Sequence, residues 1–339
     1  MKYLFYATLS YSYSVLRPIE IAIKKTGGSV AWFIPGGSEA EAFIKDSDIR
    51  LLTIEDVMSY APVATLVPGN VVPDFFPGIK VQVFHGFDSG KKNKFNIRGF
   101  FDLYCTQGPN ITDGFNNISD GTCEIVETGW SKLDPLFTTH LDVPTYKTEE
   151  PLILYAPTFS PKLTSTFELF SQIESLSTKR KWKWLVKLHP KATKEEISMF
   201  KSLESNNLKF IETGDIIPLL QAADILLSDT SSILTEFSLL NKVSISFRNR
   251  RPEPWMINFS KANLLEENIE KALSEDSEQL NNISKHIKLV HPYNDGRSSE
   301  RVLSAIDTLV KRGIDHLKPK PLNLLRRLKM RKKLKYYRF

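Results

Sequence analysis

The sequence predicts an α/β protein of two successive domains, each a parallel sheet flanked by helices. Short apolar runs alternate with longer stretches of helical periodicity along most of the 339 residues, which is how βα units that build parallel sheets read. That length exceeds the roughly 100–200 residues usual for one domain. The alternation also lapses once, between Gly129 and Pro151, where WSKLDPLFTTHLDVPTYKTEEP carries three prolines and little periodicity, as a linker does. We therefore expect two Rossmann-like domains, 1–145 and 146–315, followed by a tail at 316–339. A hydrophobic content of 41% with 25% charged residues excludes a disordered chain.

In the first domain the apolar runs Tyr3 to Ala7, Val30 to Ile34, Val63 to Val67, Val81 to Phe84, Leu103 to Thr106 and Glu124 to Val126 are the expected strands. Between the first two, Tyr13 to Lys25 puts Val15, Ile19, Ala22 and Ile23 on one helical face. In the second domain strands are expected at Leu152 to Ala156, Trp184 to Leu188, Lys209 to Ile211, Ile225 to Leu227 and Val243 to Phe247. Helices are expected at Thr193 to Leu203, Ser231 to Leu240 and Ser299 to Lys311. Open parallel sheets bind ligands beyond the carboxyl ends of their strands, so a ligand is expected in a cleft between the two domains.

The net charge of +6 is a property of the tail. Residues 318–339 hold ten Lys and Arg and no Asp or Glu, leaving the first 317 residues at −4. An acidic core without aromatic stacking motifs argues against nucleic acid as a partner. Leucines at helical spacing among the tail's cations, from Leu322 to Leu334, predict attraction to an anionic membrane surface; the bland alternative is a solubilising tail. No run of about 18 apolar residues occurs, and Arg17 and Pro18 interrupt the apolar start, so a cytoplasmic protein, peripheral on the inner face of the membrane, is expected. Cys105 and Cys123 form neither a metal-ligand spacing nor a disulfide framework, and no metal-binding cluster is legible.

Four constellations fall at strand exits. His85-Gly86 ends an apolar run; an imidazole there can take a proton from a hydroxyl, and Gly86 lets backbone approach a ligand. Asp88-Ser89-Gly90-Lys91-Lys92 follows. Lys187 and His189, two residues apart, point the same way from an extended segment and suit phosphate oxygens, or they simply close a strand-end turn before Pro190. Asp229-Thr230-Ser231-Ser232 opens a helix, where N–H groups and hydroxyls make an anion site, and Glu236 lies one turn further on, within reach of a ribose. Capping by Asp229, Thr230 or Ser231 is the alternative reading. Finally, Ser298 and Arg301 offer a cap and a cation at the start of the last long helix, while Ser10 and Arg17, with Gly86, are assigned to the acceptor side of the cleft.

With the His85-Gly86, Tyr155-Ala156-Pro157-Thr158, Lys187-x-His189-Pro190, Asp229-Thr230-Ser231-Ser232 and Asp295-Gly296-Arg297-Ser298-Ser299-Glu300-Arg301 elements in this order, residues 80–310 resemble the CDP-glycerol glycerophosphotransferase family, which includes teichoic acid primases and polymerases. The resemblance implies a GT-B fold and transfer of glycerol phosphate, or a related polyol phosphate, from a CDP-activated donor to a hydroxyl of a glycan or lipid-linked acceptor, with release of CMP. The donor is a substrate, and no cofactor is implied. His85 corresponds to the general base, His189 to a residue of the donor phosphates, and Ser231 and Ser232 to the diphosphate; Thr158, Lys187, Asp229, Thr230, Glu236, Ser298 and Arg301 complete the expected donor set. Two departures are visible: Asp229-Thr230-Ser231-Ser232 stands where the family often has Asp-Tyr-Ser-Ser, and His85-Gly86-Phe87 where it has His-Gly-Thr. The second puts the acceptor more in question than the reaction, and because the segment Tyr11 to Pro18 does not resemble the large Gram-positive polymerases, a compact capsule-type or lipopolysaccharide-type enzyme is favoured. Rival expectations are a GT-B sugar transferase, a non-hydrolysing sugar-nucleotide epimerase and, from another class, a non-catalytic nucleic-acid binder.

Overall fold

A computed structural model describes residues 1–87, 95–138, 149–274 and 276–337. The segment 88–92 after His85 and residues 139–148 of the expected linker lie outside the described residues. The chain divides into two units, Met1–Thr138 with Leu289–Phe339, and Thr139–Lys288.

In the first unit the strands are β1 (Lys2–Tyr6), β2 (Ser29–Phe33), β3 (Ile49–Leu51), β4 (Ala64–Val67), β5 (Ile79–Gln82), β6 (Leu103–Thr106) and β7 (Glu124–Glu127). They pair in the order β3-β2-β1-β4-β5-β6-β7, every pair parallel. Four of them, β1, β2, β4 and β6, are buried almost throughout, as expected for a sheet covered on both faces. Helix α1 (Ser12–Lys25) buries Val15, Leu16, Ile19 and Ile23, the face read from the sequence. Helix α2 (Ile54–Tyr60) starts at a capping box formed by Thr53 and Asp56, and α3 (Pro109–Asn116) lies beside β7.

The expected boundary at 315 needs correction, because α11 (Ser298–Arg312) belongs to the first unit. Its apolar face, Val302, Leu303, Ile306 and Leu309, is buried, and the helix packs on α1. Both backbone N–H groups opening α11, those of Ser298 and Ser299, donate to Asp134 at 2.8 Å, so a carboxylate from 164 residues upstream caps the returning helix.

The tail also departs from expectation. Helix α12 (Leu324–Leu334) is docked on the first unit: Arg331 is 8% exposed, donates to Asp74 at 3.3 Å and lies 4.8 Å from the Phe75 ring. Tyr336 stacks on Phe75 at 4.5 Å, and Lys320 pairs with the buried Asp102. Part of the tail's charge is thus consumed within the fold.

The second unit holds β8 (Leu152–Tyr155), β9 (Lys183–Val186), β10 (Leu208–Phe210), β11 (Ile225–Ser228), β12 (Ser244–Phe247) and β13 (Met256–Phe259), in the parallel order β10-β9-β8-β11-β12-β13. Helices α5 (Thr166–Lys179), α6 (Lys194–Lys201), α7 (Ile217–Ala222), α8 (Ile233–Ser238) and α9 (Leu265–Leu273) accompany it, and α10 (Ser277–Val290) leads back. Helix α6 opens with a second capping box, Thr193 and Glu196. Helix α8 has six residues, much shorter than the expected Ser231 to Leu240. Strand order reverses between β1 and β4 in one sheet and between β8 and β11 in the other, which marks the two switch points where such sheets bind ligands.

Candidate active site

In the first unit, His85 sits three residues beyond β5, beside the β1–β4 switch point. Phe84 turns the chain with a φ of 39°, and three neighbouring strand exits hold the turn. Trp130 Nε1 donates to the Phe84 carbonyl at 3.3 Å, Gln107 Nε2 donates to the Gly86 carbonyl at 2.7 Å, and the His85 ring meets the Pro68 carbonyl at 2.9 Å through Nδ1. A carbonyl oxygen only accepts, so Nδ1 carries the hydrogen and the neutral ring presents a bare lone pair at Nε2. Tyr11 stacks on the imidazole at 4.7 Å. A Cβ on Gly86 would meet nothing within 4 Å, so the backbone beside His85 is open to a ligand.

The structure gives the other first-unit candidates different tasks. Arg17 is bound to Glu20 at 2.7 Å and to Asp48 at 2.5 Å and lies over Trp32 at 4.6 Å, which ties α1 to the approach to β3. Ser10 donates to Glu39. Ser298 is buried, with its N–H on Asp134. The Arg301 guanidinium pairs with Asp295 and stacks over Tyr293 at 4.1 Å. Tyr293 in turn donates to Glu127 at 2.9 Å, so these residues anchor α11 to β7. His291 accepts from the Trp130 N–H at 3.0 Å, and burial pushes its pKa down to about 4.

In the second unit the exits of β8, β9 and β11 gather at the switch point. His189 receives the Lys191 N–H on Nδ1 at 3.1 Å. A backbone N–H only donates, so this imidazole carries its hydrogen on Nε2, the reverse of His85. Burial, aided by the Lys187 and Lys191 ammonium groups, pushes its pKa below the ordinary histidine value, keeping the ring neutral and its Nε2–H available to an oxygen. Phe159 packs on the ring at 4.3 Å. Lys187 is half-buried, its pKa lowered by desolvation; it reaches only the Leu188 carbonyl, at 3.5 Å, and no carboxylate among the described residues pairs with it.

Asp229 is fully buried, and its carboxylate is engaged within the fold. Its oxygens accept from the Thr158 N–H at 2.9 Å and from the Ser165 N–H and hydroxyl, both at 3.1 Å. It therefore fastens the turn after β8 to the end of β11, and burial raises its pKa to about 6. Thr158 is placed by that bond. Thr230 accepts from the Arg250 N–H at 3.1 Å, which leaves its hydroxyl proton to donate. Ser231 is partly exposed and Ser232 exposed, while Glu236 is buried and already engaged within the protein. Sequence reasoning missed the turn after β12: the Asn249 side chain donates to the Asp229 carbonyl at 2.9 Å, bringing Arg250 beside Thr230. The Asn-Arg-Arg run following a strand was the available signal. Among the described residues no group of three His, Cys, Asp or Glu forms a metal site, and no helix is long and apolar enough to cross a membrane.

Comparison with known proteins fits this arrangement. Residues 104–251 match the family described as CDP-glycerol:poly(glycerophosphate) glycerophosphotransferase, a span that holds His189 and Asp229 to Ser232 and stops short of His85. A 93-residue stretch is 40% identical to the teichoic acid glycerol-phosphate primase of Bacillus subtilis (strain 168); it is 27% of this chain and 24% of that protein, so the chain matches about a quarter of the relative's length. Among solved structures, a Listeria monocytogenes protein named as a UDP-N-acetylglucosamine 2-epimerase has a TM-score of 0.66 at 16% identity, with 95% of this chain and 99% of that one covered. The wall teichoic acid polymerase TagF, soaked with CDPG, has a TM-score of 0.64 at 14% identity, covering 93% and 90%. These likenesses establish the fold class expected, that of the GT-B enzymes, with a Rossmann-like sheet in each unit. The resemblance read from the ordered motifs is thereby borne out over its central part: from β6 to the turn after β12 the chain matches the family described as CDP-glycerol:poly(glycerophosphate) glycerophosphotransferase.

Proposed function

We propose that the protein transfers glycerol phosphate, or a related polyol phosphate, from a CDP-linked donor to a hydroxyl acceptor and releases CMP. The observation that carries the reading is the bare Nε2 of His85, fixed by the Pro68 carbonyl in a chain whose central part matches this family. In the reaction the acceptor oxygen attacks the distal phosphorus and its proton passes to His85 Nε2. A new O–P bond forms, and the bond from that phosphorus to the CMP oxygen breaks. The second unit supplies donors to phosphate oxygens: the His189 Nε2–H, the Lys187 ammonium and the hydroxyls of Thr230, Ser231 and Ser232. With α8 only six residues long, these groups and the basic turn at Arg250 carry more of the anion binding than a helix dipole does. Glycan or lipid-linked acceptors fit a peripheral position on the inner face of the membrane, which the exposed Leu324, Leu325 and Leu328 support.

The test is a donor panel of CDP-glycerol, CDP-ribitol and UDP-sugars, scoring CMP against UDP. CMP release from a CDP-polyol is expected, slowed about a hundredfold to ten-thousandfold in His85→Ala. Turnover of a UDP-sugar alone would favour the sugar-transferase or epimerase reading, and an unimpaired His85→Ala would remove the base assignment.

A further inference from the structure

Beside His85 the first unit contains a cavity of about 440 Å³. Its lining combines the apolar Tyr6, Leu9, Val71, Phe100 and Met330 with the cations Arg98, Arg326, Lys329 and Lys333. None of these four cations has a carboxylate partner among the described residues, whereas their helix neighbours Arg327 and Arg331 pair with Asp74. Arg326, Lys329 and Lys333 recur at three and four residues, so they share one face of α12. The Tyr6 hydroxyl lies 3.9 Å from Met330 Sδ, seating that face against the end of β1.

The cavity is one ring away from the proposed base. Tyr11 lines it and stacks on His85. The Pro68–Asn70 turn does double duty: the Pro68 carbonyl sets the His85 tautomer, and Gly69 and Asn70 line the cavity, held there by Gln82 Nε2 at 3.1 and 2.8 Å. A lining of apolar groups and four cations matches neither a free anion, which would leave the apolar groups in water, nor a neutral lipid, which would leave the cations unmatched.

We propose that this cavity binds the anionic end of an amphiphile, a phosphate ester on an apolar stem, and that α12 is a wall of that binding site. Identifying the amphiphile with the acceptor rests on the transferase reading; the binding itself does not.

Titration of the full chain with decyl phosphate below its micellar concentration, with decanol and with inorganic phosphate separates the sources of affinity. Decyl phosphate is expected to bind at least about tenfold more tightly than either fragment. Lys329→Glu with Lys333→Glu, both exposed and free of structural partners, should weaken it about a hundredfold, each charge-assisted contact accounting for about tenfold. Leu9→Trp, at an exposed loop position, should block the cavity without changing charge, and Leu325→Glu on the outward side of α12 should leave binding unchanged. Equal binding of inorganic phosphate, unaltered binding after the double reversal, or an equal loss in Leu325→Glu would overturn the proposal. The titration contains no CDP-linked donor, so a protein that binds decyl phosphate but releases no CMP from a CDP-polyol keeps the cavity and loses the transferase.

Discussion

Two histidines, each just beyond the end of a strand, end in opposite tautomers because one meets a carbonyl and the other an N–H. A single backbone contact thus decides whether an imidazole offers a lone pair or a proton. Asp229 shows how a residue type misleads when its neighbours are distant. As a carboxylate before two serines it read as part of the donor set, but its partners are the N–H groups of Thr158 and Ser165, 71 and 64 positions earlier. Burial raises its pKa to about 6 against these hydrogen bonds. Because the folded value lies above that of the unfolded chain, the stabilising contribution of the protonated group is complete below about pH 4. It is lost as pH rises through about 6, a change of about 3 kcal/mol. In Asp229→Asn this titration is gone, so the unfolding free energy of the natural protein relative to the variant should fall by about that amount between about pH 4 and about pH 7. Chemical denaturation at both values checks this, and a pH-independent difference would refute it.

Helix α12 divides its circumference three ways: Arg327, Arg331 and Leu334 against the core, Arg326, Lys329 and Lys333 toward the cavity, and Leu324, Leu325 and Leu328 outward. Sequence periodicity shows that such a helix is amphipathic; it does not show that Asp74 and Asp102 await it 257 and 218 residues away. Lys320→Ala should cost about 3 kcal/mol, since it leaves the buried Asp102 carboxylate with the Lys80 N–H but without its ammonium partner, and a melting curve without loss of stability would contradict this account of the docking. The strands were legible to within a residue or two because a buried parallel strand is a short apolar run. The exceptions are instructive: β3 has three residues and an exposed start, and β13 carries Asn258 outward, so neither rises above a loop. His85 and His189 were legible because each ends an apolar run. The cavity was not, since its walls come from β1, β4, the approach to β6 and α12, which no local pattern connects.

At the scale of the whole chain, the positive charge concentrates in a segment that folds onto a unit whose remaining sequence is far upstream, while residues 139–288 form the intervening unit. The six strands of the second unit are contiguous in sequence, so a fragment of residues 149–288 should fold alone. A fragment of residues 1–138 lacks the helix that caps on Asp134 and covers α1, and should stay soluble and native-like only when residues 289–339 are supplied in trans. Circular dichroism and hydrogen exchange on the separate and mixed fragments would decide this; a stable, protected 1–138 fragment alone would count against it. The return of α11 also has a consequence in time. As a ribosome extends the chain, the seven-strand sheet emerges early but waits some 150 residues for α11. A contiguous neighbour can form its own sheet in that interval. The wall bearing Arg326, Lys329 and Lys333 arrives later still, so the cavity next to His85 is the last part of the first unit to close, and nascent chains meet the substrate only after both sheets are in place.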